Sequence, residues 1–239
     1  MNTVQEQARK RWDSIAKPLH SLGLLEDLVV RIAVTRGTPD VCIDRRCVLV
    51  FCGDHGVVRK GVSQTGSAVT SVLLGLSPEE VTGRGAGLSD AGLRRKIAAI
   101  CQAIAVNRPD AGDPVDVLAK LGGFELAGMA GAFLGGLKYH IPVIPDGMIP
   151  AASALVAARI DPDVVRVILP GPVSREPADR RILDSLGLEP VIHAQTALGE
   201  GTGGILLLPL LDMALKVYNG PHTFDALKMK AYTPQEETP

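Results

Sequence analysis

Four short apolar runs, each ending in a loop of glycines and polar residues, constrain this sequence more than any other feature. The first, Cys47–Cys52 (CVLVFC), is apolar throughout and too short for a helix. It reads as a strand buried on both faces, the pattern of a parallel sheet covered by helices. Ile141–Ile144, Val164–Leu169 and Pro190–His193 read the same way. Helical patterns alternate with these runs. Leu22, Leu25, Leu28, Val29, Ile32 and Ala33 recur at helical spacing within Ser21–Gly37. Ser89 and Asp90 can cap a helix whose Leu93, Ile97, Ile100, Cys101 and Ile104 share a face. Further helices are expected over Phe124–Leu137, Ala151–Arg159, Pro177–Leu186 and Ile205–Tyr218. Phe124–Leu137 is so rich in glycine and alanine that either close packing or a break is expected there. Strands alternating with helices imply an α/β fold with a mainly parallel sheet flanked by helices. We expect an α/β core over 41–204, a helical lobe with packing helices from 1–40 and 205–230, and a flexible tail at 231–239.

Ligands of such sheets bind outside the carboxyl ends of the strands. That rule selects the loops 53–64, 146–150, 171–176 and 194–204. In the last, Glu200 is flanked by glycines just before a helix. It is either a functional carboxylate or a first-turn acid favoured by the helix dipole. Asp54 with His55, and Asp146, follow strands directly and are either site groups or turn caps. Gly83-Arg84-Gly85-Ala86-Gly87 places pliable backbone beside a cation, which suits a phosphate, and Lys96 lies on the following helix. Lys96 could instead be an ordinary surface lysine, and Ser174 a helix cap.

Hydrophobic residues make up 46% of the chain and charged residues 21%, ordinary for a globular enzyme. A net charge of −1 and only 3% aromatics argue against nucleic-acid binding. No membrane-spanning run and no secretory leader are visible, so a cytoplasmic location is expected. Cys42, Cys47, Cys52 and Cys101 lack zinc-ligand spacing, and buried reduced thiols are expected. Neither glycine cluster has the dinucleotide-binding spacing.

Several of these stretches, in this order, resemble the nicotinate-nucleotide–dimethylbenzimidazole phosphoribosyltransferase family. They are Lys17-Pro18 with Ser21-Leu22-Gly23, VLVFCGDHGV at 48–57, VTGRGAGLSDAGLRRK at 81–96, LGGFELAGMAGAFL at 121–134, IPVIPDGMI at 141–149, SREP at 174–177 and LGEGTG at 198–203. The resemblance covers most of 15–224. It implies a Rossmann-like fold with a small helical lobe, a homodimer, and no metal or cofactor. It also implies transfer of phosphoribose from nicotinate mononucleotide to a benzimidazole-type base, 5,6-dimethylbenzimidazole, giving α-ribazole 5′-phosphate for cobalamin assembly. By motif, Glu200 matches the catalytic base and Ser63 a position beside the base pocket. Gly85, Lys96, Asp146, Ser174, Leu198 and Gly199 match the nucleotide site; Gly83 and Arg84 follow by adjacency.

The sequence departs from that family after Gln64. The family carries a long block there, with more strands and helices, a GEMGIGNTT-like phosphate loop and a second glutamate. Only Thr65–Ser71 stand in its place. We expect an interruption of the chain between about Gln64 and Thr70, visible as a spatial jump, with true deletion as the alternative. Two rival functions remain at this stage: a non-catalytic member that binds nucleotide or base, and the same chemistry with adenine, another benzimidazole or a phenol as acceptor.

Overall fold

The computed structural model describes residues 3–62, 66–85 and 87–233. The chain divides into two compact units, one drawn from 1–46 and 208–239 and the other from 47–207. Ser63 lies outside the described residues, as does the expected tail from 234 onward. Only residues 63–65 separate Val62 from Gly66 in the continuous sequence. The spatial jump expected between about Gln64 and Thr70 begins on residues outside the described ones.

The first unit is helical. Helix α1 (Val4–Ser14) starts with a capping box between Thr3 and Glu6, which satisfies amide groups the first turn would leave free. Helix α2 (Leu24–Arg36) begins three residues later than the periodicity predicts, because Gly23 turns the chain at φ 54°. Lys17 and Glu26 form a buried ion pair at 2.7 Å, and Glu26 also accepts the Leu22 amide. The Trp12 and Tyr218 rings pack with centroids 4.9 Å apart.

The second unit is built around one buried helix. After the short helices α3 (Ser67–Leu74) and α4 (Pro78–Val81) come α5 (Asp90–Asn107), α6 (Pro114–Leu121) and α7 (Phe124–Tyr139). Helix α8 (Met148–Ile160) follows, and Ala151 to Ala158 are all buried. Its small side chains let neighbours approach on every side, which is the physical use of an alanine-rich central helix. Leu126, Phe133, Leu155, Ile168 and Ile182 complete this core. Strand β1 (Pro172–Ser174), helix α9 (Pro177–Ser185) and strand β2 (Ile192–Thr196) follow, and α10 (Thr202–Tyr218) begins at the glycine-rich loop. The two strands pair in parallel, Pro172 with Ile192 and Ser174 with Thr196. A parallel bridge joins Val143 to Ile168, with hydrogen bonds Val143 N–H to Val167 O and Leu169 N–H to Val143 O. Both pairings are parallel, in keeping with an α/β fold.

Helix α7 is unbroken. Two of its glycines serve close packing: a Cβ at Gly128 would lie 2.6 Å from the Phe51 ring, and one at Gly136 would lie 2.7 Å from Val143.

Three expectations are corrected. Cys47–Cys52 forms no strand, and Val48, Leu49 and Val50 are 56%, 63% and 72% exposed. An apolar run becomes a buried strand only when a neighbour pairs with it, and no described segment does so. Pro162–Val167 is a 3-10 helix rather than the start of a strand, because Asp161 caps it and Pro162 presets its first turn. All four cysteines are exposed; Cys47 and Cys52 lie on the uncovered run and share its exposure.

Candidate active site

Lys96 lies on the buried stripe of α5 with Gly92 and Ile100. The stripe explains why a lysine is only 3% exposed. Its Nζ donates to the Gly83 carbonyl at 3.1 Å. Burial pushes its ammonium below the usual range, against the pull of the Glu176 carboxylate. Glu176, at the cap position of α9, accepts the Gly85 amide through Oε1 at 2.9 Å, and its Oε2 is buried without a hydrogen-bond partner. Gly83 lies so close that a Cβ there would be 2.3 Å from that carboxyl, which would have to move aside. The Glu176 amide donates to Ser174 Oγ at 3.4 Å, and the Ser174 amide donates to Asp179 at 2.7 Å. Burial pushes the Asp179 carboxyl up, against the hydrogen bonds from Ser174. Gly83, Gly85, Lys96 and Ser174 are thereby joined through one residue, Glu176, that the sequence reading did not single out. Its place beside Ser174 in SREP, before a helix-starting proline, was the available signal.

A second cluster lies beside the first, where a Cβ at Gly147 would be 3.9 Å from Ser174 Cβ. Asp146 accepts the Gly201 amide at 2.8 Å and the Gly204 amide at 3.0 Å. It holds the start of α10, where amides carry partial positive charge. Gly203 crosses so close that a Cβ there would be 2.3 Å from the Asp146 carbonyl. Leu198, Gly199 and Glu200 form the exposed part of this pinned loop. Glu200 has φ 64°, a left-handed conformation that costs a non-glycine residue about 1–2 kcal/mol.

Among the described residues, Arg84 shares no hydrogen bond or ion pair with either cluster. Its guanidinium donates to Leu88 O and pairs with Asp90 within its own loop. His55 meets Glu125 at 2.9 Å, with both side chains largely buried. His55, Lys96 and Lys120 also border a cavity of about 220 Å³ floored by Ile100 and Leu121; Glu200 does not line it. Glu125 was missed because a first-turn acid on a helix is ordinarily only a dipole partner.

A family model described as a phosphoribosyltransferase matches residues 1–71 and again 64–228. A nicotinate-nucleotide–dimethylbenzimidazole phosphoribosyltransferase of Acetivibrio thermocellus is 30% identical over 333 residues, covering 96% of this chain and 95% of that protein. The chain belongs to this phosphoribosyltransferase family. A family member from Desulforudis audaxviator is 45% identical over 172 residues, which cover 72% of this chain but 48% of that relative. A crystal structure of CobT from Thermus thermophilus superposes with a TM-score of 0.88 at 28% identity, over 95% of this chain and 99% of that one. The 333 aligned positions exceed the 239 residues present. This phosphoribosyltransferase therefore lacks a long internal block, and the two family matches meet where it is lost, at 64–71. Among the described residues, no helix is long and apolar enough to cross a membrane.

Proposed function

We propose that this chain transfers the phosphoribosyl group of nicotinate mononucleotide to 5,6-dimethylbenzimidazole, with Glu200 as general base. One ring nitrogen of the base attacks the ribose anomeric carbon from the face opposite nicotinate. The bond to the pyridinium nitrogen breaks, its electron pair stays with the departing nicotinate, and the sugar carbon inverts from β to α. The attacking base must shed the proton of its other nitrogen, and a carboxylate can accept it. The observation that carries this reading is the strained placement of Glu200. Asp146 already satisfies the loop amides on either side of α10's start, so the left-handed Glu200 presents a carboxylate the fold does not need for itself. Strain at an otherwise satisfied loop points to function.

In this reading Gly83, Gly85, Lys96, Ser174 and Gly199 surround the nucleotide, and Ser63 lies by the base. Arg84 contributes through loop order, and Asp146 by holding the loop. A charged nucleotide substrate places the enzyme in the cytoplasm, and a pair of chains is the expected assembly. The test is nicotinate release from nicotinate mononucleotide with dimethylbenzimidazole, adenine and phenol as acceptors. The reading requires release that depends on the acceptor and is fastest with dimethylbenzimidazole.

The absent block favours a second reading, in which the chain alone binds nucleotide without turnover. A single-turnover experiment with protein in excess separates the two: binding without nicotinate release supports the second.

Lys96→Met separates function from stability. Burial penalises the ammonium at neutral pH, so an apolar side chain of similar length should leave the melting temperature unchanged or raised. The Kd for nicotinate mononucleotide should rise about 10- to 100-fold through loss of a charge-assisted hydrogen bond, as calorimetry would show. Equal affinity in the variant would remove Lys96 from the phosphate site.

A further inference from the structure

We propose that Glu176 is a positioning residue of the phosphate site: one carboxylate oxygen holds the 83–85 loop, and the group supplies the countercharge for the buried Lys96 ammonium that meets the nucleotide's phosphate. The proposal rests on the reading of Lys96 given above, and its test fails separately from that reading.

Glu176 stands at the cap position of α9, where an acid ordinarily accepts an amide of its own helix. Its side chain makes no such bond. The carboxyl reaches instead to the glycine loop 91 positions earlier, where Oε1 accepts the Gly85 amide. It lies flush against Gly83, since a Cβ there would be within 2.3, 2.7 and 2.8 Å of its Oε2, Cδ and Oε1. Two side chains of opposite charge therefore grip one short loop: Lys96 takes the Gly83 carbonyl, and Glu176 takes the Gly85 amide. Arg84, between these two glycines, is spent on Asp90.

Neither charge is fully used. An ammonium has three donors, and the buried Lys96 gives one to Gly83. Among the described residues, the buried Glu176 Oε2 has no hydrogen-bond partner. Burial pushes the Lys96 ammonium below its usual range, and the Glu176 carboxylate opposes that. Donors thus remain for an incoming phosphate, on a cation that a neighbouring carboxylate sustains.

That carboxylate has two opposed effects on a bound phosphate. It repels the like charge directly, and it keeps Lys96 protonated to higher pH. Glu176→Gln removes both effects and leaves a side-chain carbonyl to accept the Gly85 amide. While Lys96 is charged in both proteins, only the repulsion differs, and the variant should bind nicotinate mononucleotide at least as tightly as the wild type. Once the pH is high enough that only the wild type retains the ammonium, the variant should bind about 10- to 100-fold more weakly, the loss of one charge-assisted hydrogen bond. The two affinity curves therefore cross. A purely structural role for Glu176 would weaken binding by one factor at every pH. Asp179, one turn along α9, interacts with the Glu176 charge, and His55 and Lys120 border the same cavity as Lys96. All three are common to both proteins and largely cancel in the ratio of Kd values.

Calorimetry from neutral to strongly alkaline pH measures the crossing. Carbon-13 resonances of the lysine side chains, with Lys96→Met to assign the signal, report the Lys96 midpoint without any ligand. That midpoint should fall in Glu176→Gln and in Glu176→Ala. Exchange of the Gly85 amide should accelerate in Glu176→Ala alone, which lacks the acceptor. In the wild type the Glu176 carboxyl carbon should show a second inflection as Lys96 loses its proton, a measurement that needs no folded variant. Parallel affinity curves, an unchanged Lys96 midpoint in Glu176→Gln, or a single inflection at Glu176 overturns the proposal. If Lys96→Met binds the nucleotide as tightly as the wild type, the phosphate site falls and this proposal falls with it. If Lys96→Met binds weakly while Glu176→Gln keeps the wild-type pH profile, the proposal alone falls.

Discussion

Glu200→Gln is expected to lower kcat for dimethylbenzimidazole by roughly 10²–10⁴-fold, the contribution of a positioned general base. The amide matches the carboxylate in shape and can occupy the same left-handed backbone position, so the Kd for nicotinate mononucleotide should change by less than about threefold. The two measurements together are decisive, because a collapsed loop would weaken binding as well. A companion variant uses the strain itself. Glu200→Gly removes the side chain where φ is 64° and should stabilise the fold by about 1 kcal/mol while abolishing turnover. A gain in melting temperature with loss of activity is the mark of a residue kept for function at a cost in stability. If Glu200→Gln turns over as fast as the wild type, the proton goes elsewhere.

Gly203→Val is expected to be nearly as damaging to turnover, by a different route. The new Cβ would lie 2.3 Å from the Asp146 carbonyl oxygen. That neighbour is backbone, so no side-chain rotation relieves the clash. The loop must lift, breaking the hydrogen bonds from Gly201 and Gly204 to Asp146 and releasing Glu200 from its position. Overpacking of this kind costs about 1–3 kcal/mol, which thermal denaturation would register as a drop of several degrees. Gly199→Ala is the control in the same loop. A Cβ there would lie 3.6 Å from Asp146 Oδ2, an ordinary contact, and the melting temperature should hold. Equal stability for Gly203→Val and the wild type would show that Asp146 does not anchor the loop.

Much of the local structure was legible before any coordinates. Ser89 caps α5 as expected and accepts the Gly92 amide. Gly37 and Gly187 close their helices at φ 71° and 65°. These features depend on neighbours a few residues away, and sequence spacing reports such neighbours directly. Lys96 was partly legible. Its spacing from Gly92 and Ile100 places it on one face of α5, yet nothing in the spacing says that this face is the buried one. Glu176 was legible only as part of a motif. Its partnership with Gly85 spans residues far apart in the chain, and no local pattern records such a pair.

By itself the sequence determined the alternation of short apolar runs with helices, the caps that bound those helices, and the placing of a lone glutamate between glycines before α10. Each follows from backbone preferences and periodicity over a few residues. Only the tertiary structure decided that Asp146 is spent holding a loop, that Lys96 is buried beside Glu176, and that Cys47–Cys52 is an uncovered segment without strand pairing. Hydrogen-bond pairing and desolvation depend on which distant segments arrive beside a residue. An apolar run with the composition of a buried strand stays exposed when the segment that would pair with it is not there.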